Sequence, residues 1–225
     1  MRGSFDDGRR HFVTVYLEAG GELARADGAA PIDTAAFSDG HGLMATATPG
    51  TERVFHEEGE LPDWGSLVLA SAGEKYIALR EPAKAADAFT RSLAVKPDQP
   101  QVHDRRGDAY LWAGKFTEAV ADYDVFLKAN PKFAPKHWRR GIALYYAGKF
   151  EEGVKQFDTH KTVNPQDVEN AAWHYLCNVK VVGKEKSQAA LIDVTRDGRV
   201  PMAEIQKLFA GSLKPADVLA AADKA

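Results

Sequence analysis

Metal binding has one candidate stretch in this chain. Asp193, Thr195, Asp197, Gly198, Val200 and Glu204 fit a calcium loop running from 193 to 204, apart from the threonine at its third place. Carboxylates there would supply the oxygen ligands that a hard cation needs, with Gly198 making the sharp turn and Glu204 a bidentate ligand. Pro201 inside the loop, and the lack of a second loop to pair with it, weigh against that chemistry. The calcium set Asp193, Thr195, Asp197 and Glu204 stands as a minor alternative, and no cofactor is expected.

The other reactive side chains read as structural. His103 and His137 share a spacing of 34, and His160 and His174 are placed to meet across a helix interface. Without an HExxH or a cysteine pair, packing and hydrogen bonding are the favoured roles. Cys177 lies in an apolar helical stretch with no evident base and reads as a small buried hydrophobe. There is no GxSxG, no GxxxxGK[ST] and no GxGxxG after a strand, so the chain is expected not to be an enzyme.

Composition narrows the partners. A formal charge of −3 over 225 residues excludes a generally basic nucleic-acid binder. No apolar run approaches the roughly 18 residues of a membrane-spanning helix. Asp6 and Asp7 stand where a signal peptide needs an apolar stretch, so no export signal is expected in the sequence as given. The average conceals two unlike pieces. Residues 1–65 hold ten of the 19 glycines, five arginines, no lysine and twelve acidic residues, a balance of −7 that leaves +4 for the rest. His11–Arg25 offers one helix, interrupted by Gly20-Gly21, and residues 27–51 have loop composition. A mostly irregular extension is expected there.

The elements that position everything else come from an internal repeat. Gly73, Gly107 and Gly141 are 34 residues apart, as are Pro97, Pro131 and Pro165. The same spacing links Tyr76, Tyr110 and Leu144, then Ala85, Ala119 and Gly153, then Phe89, Tyr123 and Phe157. The blocks are 66–99, 100–133 and 134–167. In the third, His137, Arg140, Gly141 and Leu144 make one helical stripe, a turn falls at Gly148, and a second helix presents Gly153, Phe157 and His160. Pro165 closes the block. The first block replaces the glycine turn with Arg80-Glu81-Pro82. After 167 the repeat decays: Asp167 is placed to cap a helix through Ala171, Tyr175 and Val179, and shorter helices follow at about 184–192, 201–210 and 215–224.

This pattern over 66–167 resembles the tetratricopeptide repeat (TPR) family, with His103/Arg106 and His137/Arg140 standing where the family prefers large apolar residues. The stretches HWRRGIALYYAGKFEEGVKQF, DVENAAWHYLC and RVPMAEIQKLFAG within 134–225 are similar to bacterial TPR proteins of the new-lipoprotein-I group. The resemblance implies an all-α TPR superhelical solenoid: three helical hairpins, a degenerate fourth pair and C-terminal capping helices over 168–225. It also implies an exported scaffold, although the lipoprotein signal of that group is absent here.

In such a fold the first helices line a concave face where partners dock. The implied stripe is Trp138, Ile142, Tyr145 and Tyr146 in the third block, Asp104, Asp108, Leu111 and Trp112 in the second, and Ala70, Glu74, Ile77 and Ala78 in the first. Trp112, Trp138, Tyr145 and Tyr146 are expected as apolar anchors, with Glu74, Asp104 and Asp108 selecting basic groups. Arg106 and Arg140, at inward positions, are expected to be paired with Asp122, Asp124 or Asp158, while Arg105 and Arg139 are freer. Acidic residues at the matching places argue against the clamp that holds chaperone C-terminal carboxylates. The expectation is a scaffold or adaptor for protein or peptide, with no nucleic acid and no membrane segment. Homo-oligomerisation, calcium-linked regulation and a purely structural array remain the alternatives.

Overall fold

A computed structural model describes residues 63–224 and, before them, seven short strands. The strands are β1 (Phe5–Asp6), β2 (Arg10–Val13), β3 (Tyr16–Ala19), β4 (Glu22–Ala24), β5 (Ala35–Ser38), β6 (Leu43–Met44) and β7 (Glu52–Arg53). All pairings are antiparallel, in one sheet of order β1-β2-β5-β6 and another of order β4-β3-β7. The helix considered over His11–Arg25 therefore gives way to β2, β3 and β4. Phe12, Val13 and Tyr16 bring β-propensity, and Ala19 stands opposite Glu22, so Gly20-Gly21 falls between two paired strands. Most of the extension expected to be irregular lies outside the described residues.

From residue 63 onward the chain is all-α, with helices paired antiparallel as in a TPR array. It divides into two compact units, 1–114 and 115–225. In the first, α1 (Asp63–Ala78) and α2 (Pro82–Val95) form a hairpin and α3 (Pro100–Trp112) packs beside α2. Pro82 and Pro100 sit in the first turns of their helices, where a missing N–H costs nothing. A Cβ on Gly73 would stand 2.5 Å from the Phe89 ring, so the repeated glycine exists to seat the repeated aromatic. Ala72, Tyr76, Ala85, Ala88, Phe89 and Ala109 complete this core. Inside it the Ser92 hydroxyl donates to the Ser66 carbonyl at 2.7 Å.

The second unit runs through α4 (Phe116–Ala129), a 3-10 turn over Pro131–Lys136, α5 (Trp138–Tyr146), α6 (Phe150–Lys161) and α7 (Val168–Val182). It ends with α8 (Lys184–Ala189), α9 (Met202–Phe209) and α10 (Pro215–Ala222). Gly141 repeats the close approach of Gly73, its Cβ position 2.5 Å from Phe157. Gly153, Phe157 and His160 are buried on α6, as the stripe required. His137 explains one departure from the repeat pattern. Its Nδ1 accepts from the Arg140 N–H at 3.2 Å, capping α5, and its ring packs against Tyr123 at 4.5 Å. Asp167 caps α7 as expected, accepting from the Glu169 N–H at 3.0 Å. Beyond α7, Ile192 and Val194 with Met202 and Ile205 cover Val168 and Ala171, which makes the C-terminal segment a cap over an exposed apolar end. No helix among the described residues is long and apolar enough to cross a membrane.

Candidate functional site

Four of the residues expected to bind a partner lie in the first unit. Glu74 is on α1; Asp104, Asp108 and Trp112 are on α3. Arg105 binds two of the acids itself. Its Nε donates to Glu74 at 2.6 Å, one terminal nitrogen meets the other Glu74 oxygen, and Nη1 donates to Asp108 at 2.8 Å. Asp108 is only 2% exposed, and a carboxylate so buried requires a counter-charge. The expectation that Arg105 is freer than Arg106 is thereby corrected. Hydrogen bonding and charge from Glu74 drive the guanidinium pKa above even its ordinary high value. Two of the three acids meant to select basic groups thus carry their own cation. Asp104 is half-buried near Arg105, and Trp112 is 56% exposed. Arg106 donates to the Thr90 hydroxyl at 3.1 Å and lies over the Tyr110 ring.

The second unit holds the aromatic residues. Trp138 and Tyr146 are 45% and 52% exposed, with the Arg139 guanidinium 5.3 Å above the Trp138 ring. Tyr145 is half-buried and makes edge contacts with Tyr146, Phe150 and Trp173 at 5.2–5.7 Å, while Tyr146 also stacks on Phe116 at 4.7 Å. Tyr145 is therefore a packing residue, while Trp138 and Tyr146 stay exposed at the two ends of this helix. Arg140 pairs with Asp124 at 2.6 Å and approaches Glu152, the structural role expected for it.

Trp138 and Ile142 also line a cavity of about 560 Å3 with Phe157 and Trp173. Lys136, His160, Asn164, Asp167, Glu169, Asn170 and Arg199 supply its polar rim and floor. Asn170 is 4% exposed; its amide nitrogen donates to the Phe157 carbonyl at 3.2 Å, and its buried Oδ1 has no hydrogen-bond partner among the described residues. Arg199 gathers the acids, donating to Asp167 at 2.9 Å, Glu169 at 3.1 Å and Asp197 at 2.6 Å. Lys136 is exposed on the rim and makes no ion pair among the described residues. Trp173, Asn170 and Arg199 escaped the sequence reading because the 34-residue register runs out before α7. That register carries Trp138 to Ala172, one position short of Trp173.

The stretch 193–204 has a different use from the one its spacing suggests. Asp197 accepts from Arg199 and from the Val168 N–H at 3.1 Å, and this bonding to Arg199 holds its carboxyl well below the usual carboxylate range. Gln166 accepts from the Thr195 and Arg196 N–H groups at 3.0 and 2.9 Å, while Asp193 is exposed and Glu204 stands by Val200, Leu213 and Asp217. No three His, Cys, Asp or Glu converge as a metal site among the described residues. The histidines are held separately: His160 Nδ1 is 2.8 Å from the Pro135 carbonyl, and His174 Nε2 is 3.3 Å from Asp158. Burial pushes the Cys177 thiol up to about 12, so it stays protonated.

The helices and their hairpin packing define a TPR-type fold, and solved structures share it. MamA from AMB-1 is 20% identical over 64% of this chain and 78% of its own, at a TM-score of 0.52. MamA from Desulfovibrio magneticus RS-1 is 16% identical over 65% and 75%, at 0.50. The first TPR domain of human RPAP3 is 26% identical over 56% of this chain and 98% of its own, though at 0.46 the superposition is too loose to bear weight. No protein-family model and no curated protein matches the chain.

Proposed function

We propose that this chain is a non-enzymatic scaffold or adaptor that binds peptide or protein partners on the first-helix faces of its TPR-like array. The observation that carries the reading is the pair of large rings left in solvent on α3 and α5, Trp112 and Trp138 at 56% and 45% exposure. Indole rings are costly to expose and are enriched where partners dock. Tyr146, 52% exposed, adds to the α5 face. The likeness of residues 134–225 to proteins of the new-lipoprotein-I group favours a scaffold of that kind, and the fold shared with MamA is compatible with it.

The test is affinity capture from the native source by the intact chain and by a folded Trp112→Ala, Trp138→Ala variant. Capture should be lost in the variant; equal recovery of the same partners overturns the assignment of these faces. Calcium-linked regulation is the weaker reading, because Arg199 and the Val168 N–H occupy the Asp197 carboxylate. A calorimetric titration with calcium is expected to give a flat trace.

A further inference from the structure

We propose that the turn between α4 and α5 is a further docking site, which takes a short acidic segment of a partner protein carrying one large apolar side chain. It stands apart from the first-helix faces assigned above, and its test does not depend on them.

Charge along the chain comes first. Residues 125–150 are the longest stretch of the sequence without aspartate or glutamate, and they hold Lys128, Lys132, Lys136, Arg139, Arg140 and Lys149. Arg140 is spent on Asp124 and Glu152, and Lys149 also approaches Glu152. Lys128, Lys132 and Lys136 are exposed and make no ion pair among the described residues. Phe133 stands among them, 42% exposed, with the Lys132 ammonium 5.6 Å above its ring and Phe126 5.7 Å away. Carboxylates flanking an apolar side chain would meet these lysines while that side chain covers the ring.

The repeat itself does not ask for these residues. One period away, Lys132 becomes Asp98 or Gln166, Phe133 becomes Gln99 or Asp167, and Lys136 becomes Val102 or Asn170. Gln99 and Asp167 bond to their own turns, at the Lys96 carbonyl and the Glu169 N–H. The turn at 131–136 is instead fixed from beneath. Gln156 donates to the Ala134 carbonyl at 2.8 Å, and His160 Nδ1 lies 2.8 Å from the Pro135 carbonyl. Pro131 and Pro135 hold φ. A 3-10 turn rises about 2 Å per residue and eclipses positions three apart, so Phe133 and Lys136 share a face and 132–136 spans roughly 10 Å. A backbone ordered before the ligand arrives lowers the cost of binding. The surroundings also limit the ligand's length. Glu152 shares a hollow with Ala134, while Asp167 and Glu169 share the cavity that Lys136 edges. A long polyanion would run on to those carboxylates, and three lysines fall short of the roughly six to ten phosphate contacts of a nucleic-acid binder.

The experiment selects a displayed random dodecapeptide library on the full chain at low salt, then measures the enriched peptides as synthetic fluorescent ligands by anisotropy. The expected peptides carry several Asp or Glu around one Phe, Leu or Trp. Reversing three exposed charges with Lys128→Glu, Lys132→Glu and Lys136→Glu together should weaken them at least about tenfold, with circular dichroism confirming the fold. The same change of net charge elsewhere, with Lys180→Glu, Lys186→Glu and Lys207→Glu, should leave affinity within about twofold, since a distant exposed charge is screened. Phe133→Ala, again checked for fold, should cost about threefold or more. Selection without acidic peptides, or peptides that bind the 128/132/136 variant as tightly as the parent, overturns the site. Binding that is kept in that variant and lost in Trp112→Ala, Trp138→Ala assigns the peptides to the first-helix faces, overturning this site and leaving that reading standing. Single-stranded oligonucleotides or phosphatidylserine vesicles that bind through the same lysines more tightly than the peptides overturn the choice of a protein segment as occupant.

Discussion

The faces of α3 and α5 occupy the same places in the repeat and come out differently. Asp104, Asp108, Leu111 and Trp112 on α3 correspond, 34 residues on, to Trp138, Ile142, Tyr145 and Tyr146 on α5. On α3 the buried carboxylate is closed from within, since Arg105 takes Asp108 together with Glu74 of α1. Its counterpart Arg139 lies over the Trp138 indole. On α5 the aromatic positions divide, Tyr145 turning inward to Trp173 while Trp138 remains at the surface beside a cavity. A stripe of residue types thus does not specify a binding surface until the molecule's own counter-charges and packing partners are subtracted. After that subtraction the α5 face is the more open to an apolar ligand.

The largest effect expected tests what the two regions share rather than what separates them. Gly73→Ala and Gly141→Ala each place a methyl 2.5 Å from a buried phenyl ring. Overpacking of this kind costs about 3 kcal/mol, and both variants should show it in urea unfolding. A large loss at one position and none at the other would mean that the two hairpins are not built alike.

Next comes the difference between the arginines. Arg105→Met leaves the buried Asp108 without the cation bonded to it and should destabilise by about 2 kcal/mol, below the full value for a buried pair because Arg105 itself is partly exposed. Arg139→Met, at a side chain with no buried carboxylate shown against it among the described residues, should cost less, about 1 kcal/mol or below. Equal losses would erase the distinction drawn between the two faces.

Much of this fold was legible because a 34-residue period demands it. Glycine, aromatic and proline spacing located the hairpins of 66–167, and Asp167 announced α7. The strands β2, β3 and β4 were not legible, because a short apolar run around His11–Arg25 suits either period. The site was legible only on α5. Trp138 could be found by register, whereas Trp173, Asn170 and Arg199 come from elements after the period fails. Arg105 was misjudged because a single sequence does not reveal that Glu74, 31 residues away, faces it.

Acid separates the regions again. In the second unit, burial lowers the pKa of His174 below the ordinary value of 6.5, against the opposing pull of Asp158 and with Lys161 adding to the fall. A histidine depressed in the folded state gives stability that is fully present above its unfolded pKa and is lost as pH falls below it. Urea unfolding should therefore weaken from pH 7 to pH 5, and His174→Gln should flatten that slope. Asp197, held low by Arg199, adds a further loss only as pH falls below about 4, the unfolded carboxylate range. A slope that survives His174→Gln unchanged would overturn the assignment to this histidine.

The smallest effect lies in the turns. Gly114 and Gly148 take φ of +74° and +75°, and at the same place in the first block Arg80 takes +59°. A side chain in the left-handed region costs about 1 kcal/mol relative to glycine. Arg80 is exposed. Arg80→Gly should therefore stabilise the chain by roughly 1 kcal/mol less the added freedom of the unfolded state, a net gain of a few tenths. Gly148→Arg, the reverse change in the second unit, should lose about 1 kcal/mol, because nothing lies within 4 Å of its Cβ position to compensate. If both substitutions destabilise, the Arg80 turn is held by more than its backbone geometry. The first hairpin would then be closed by a different device from the glycine turn of the third.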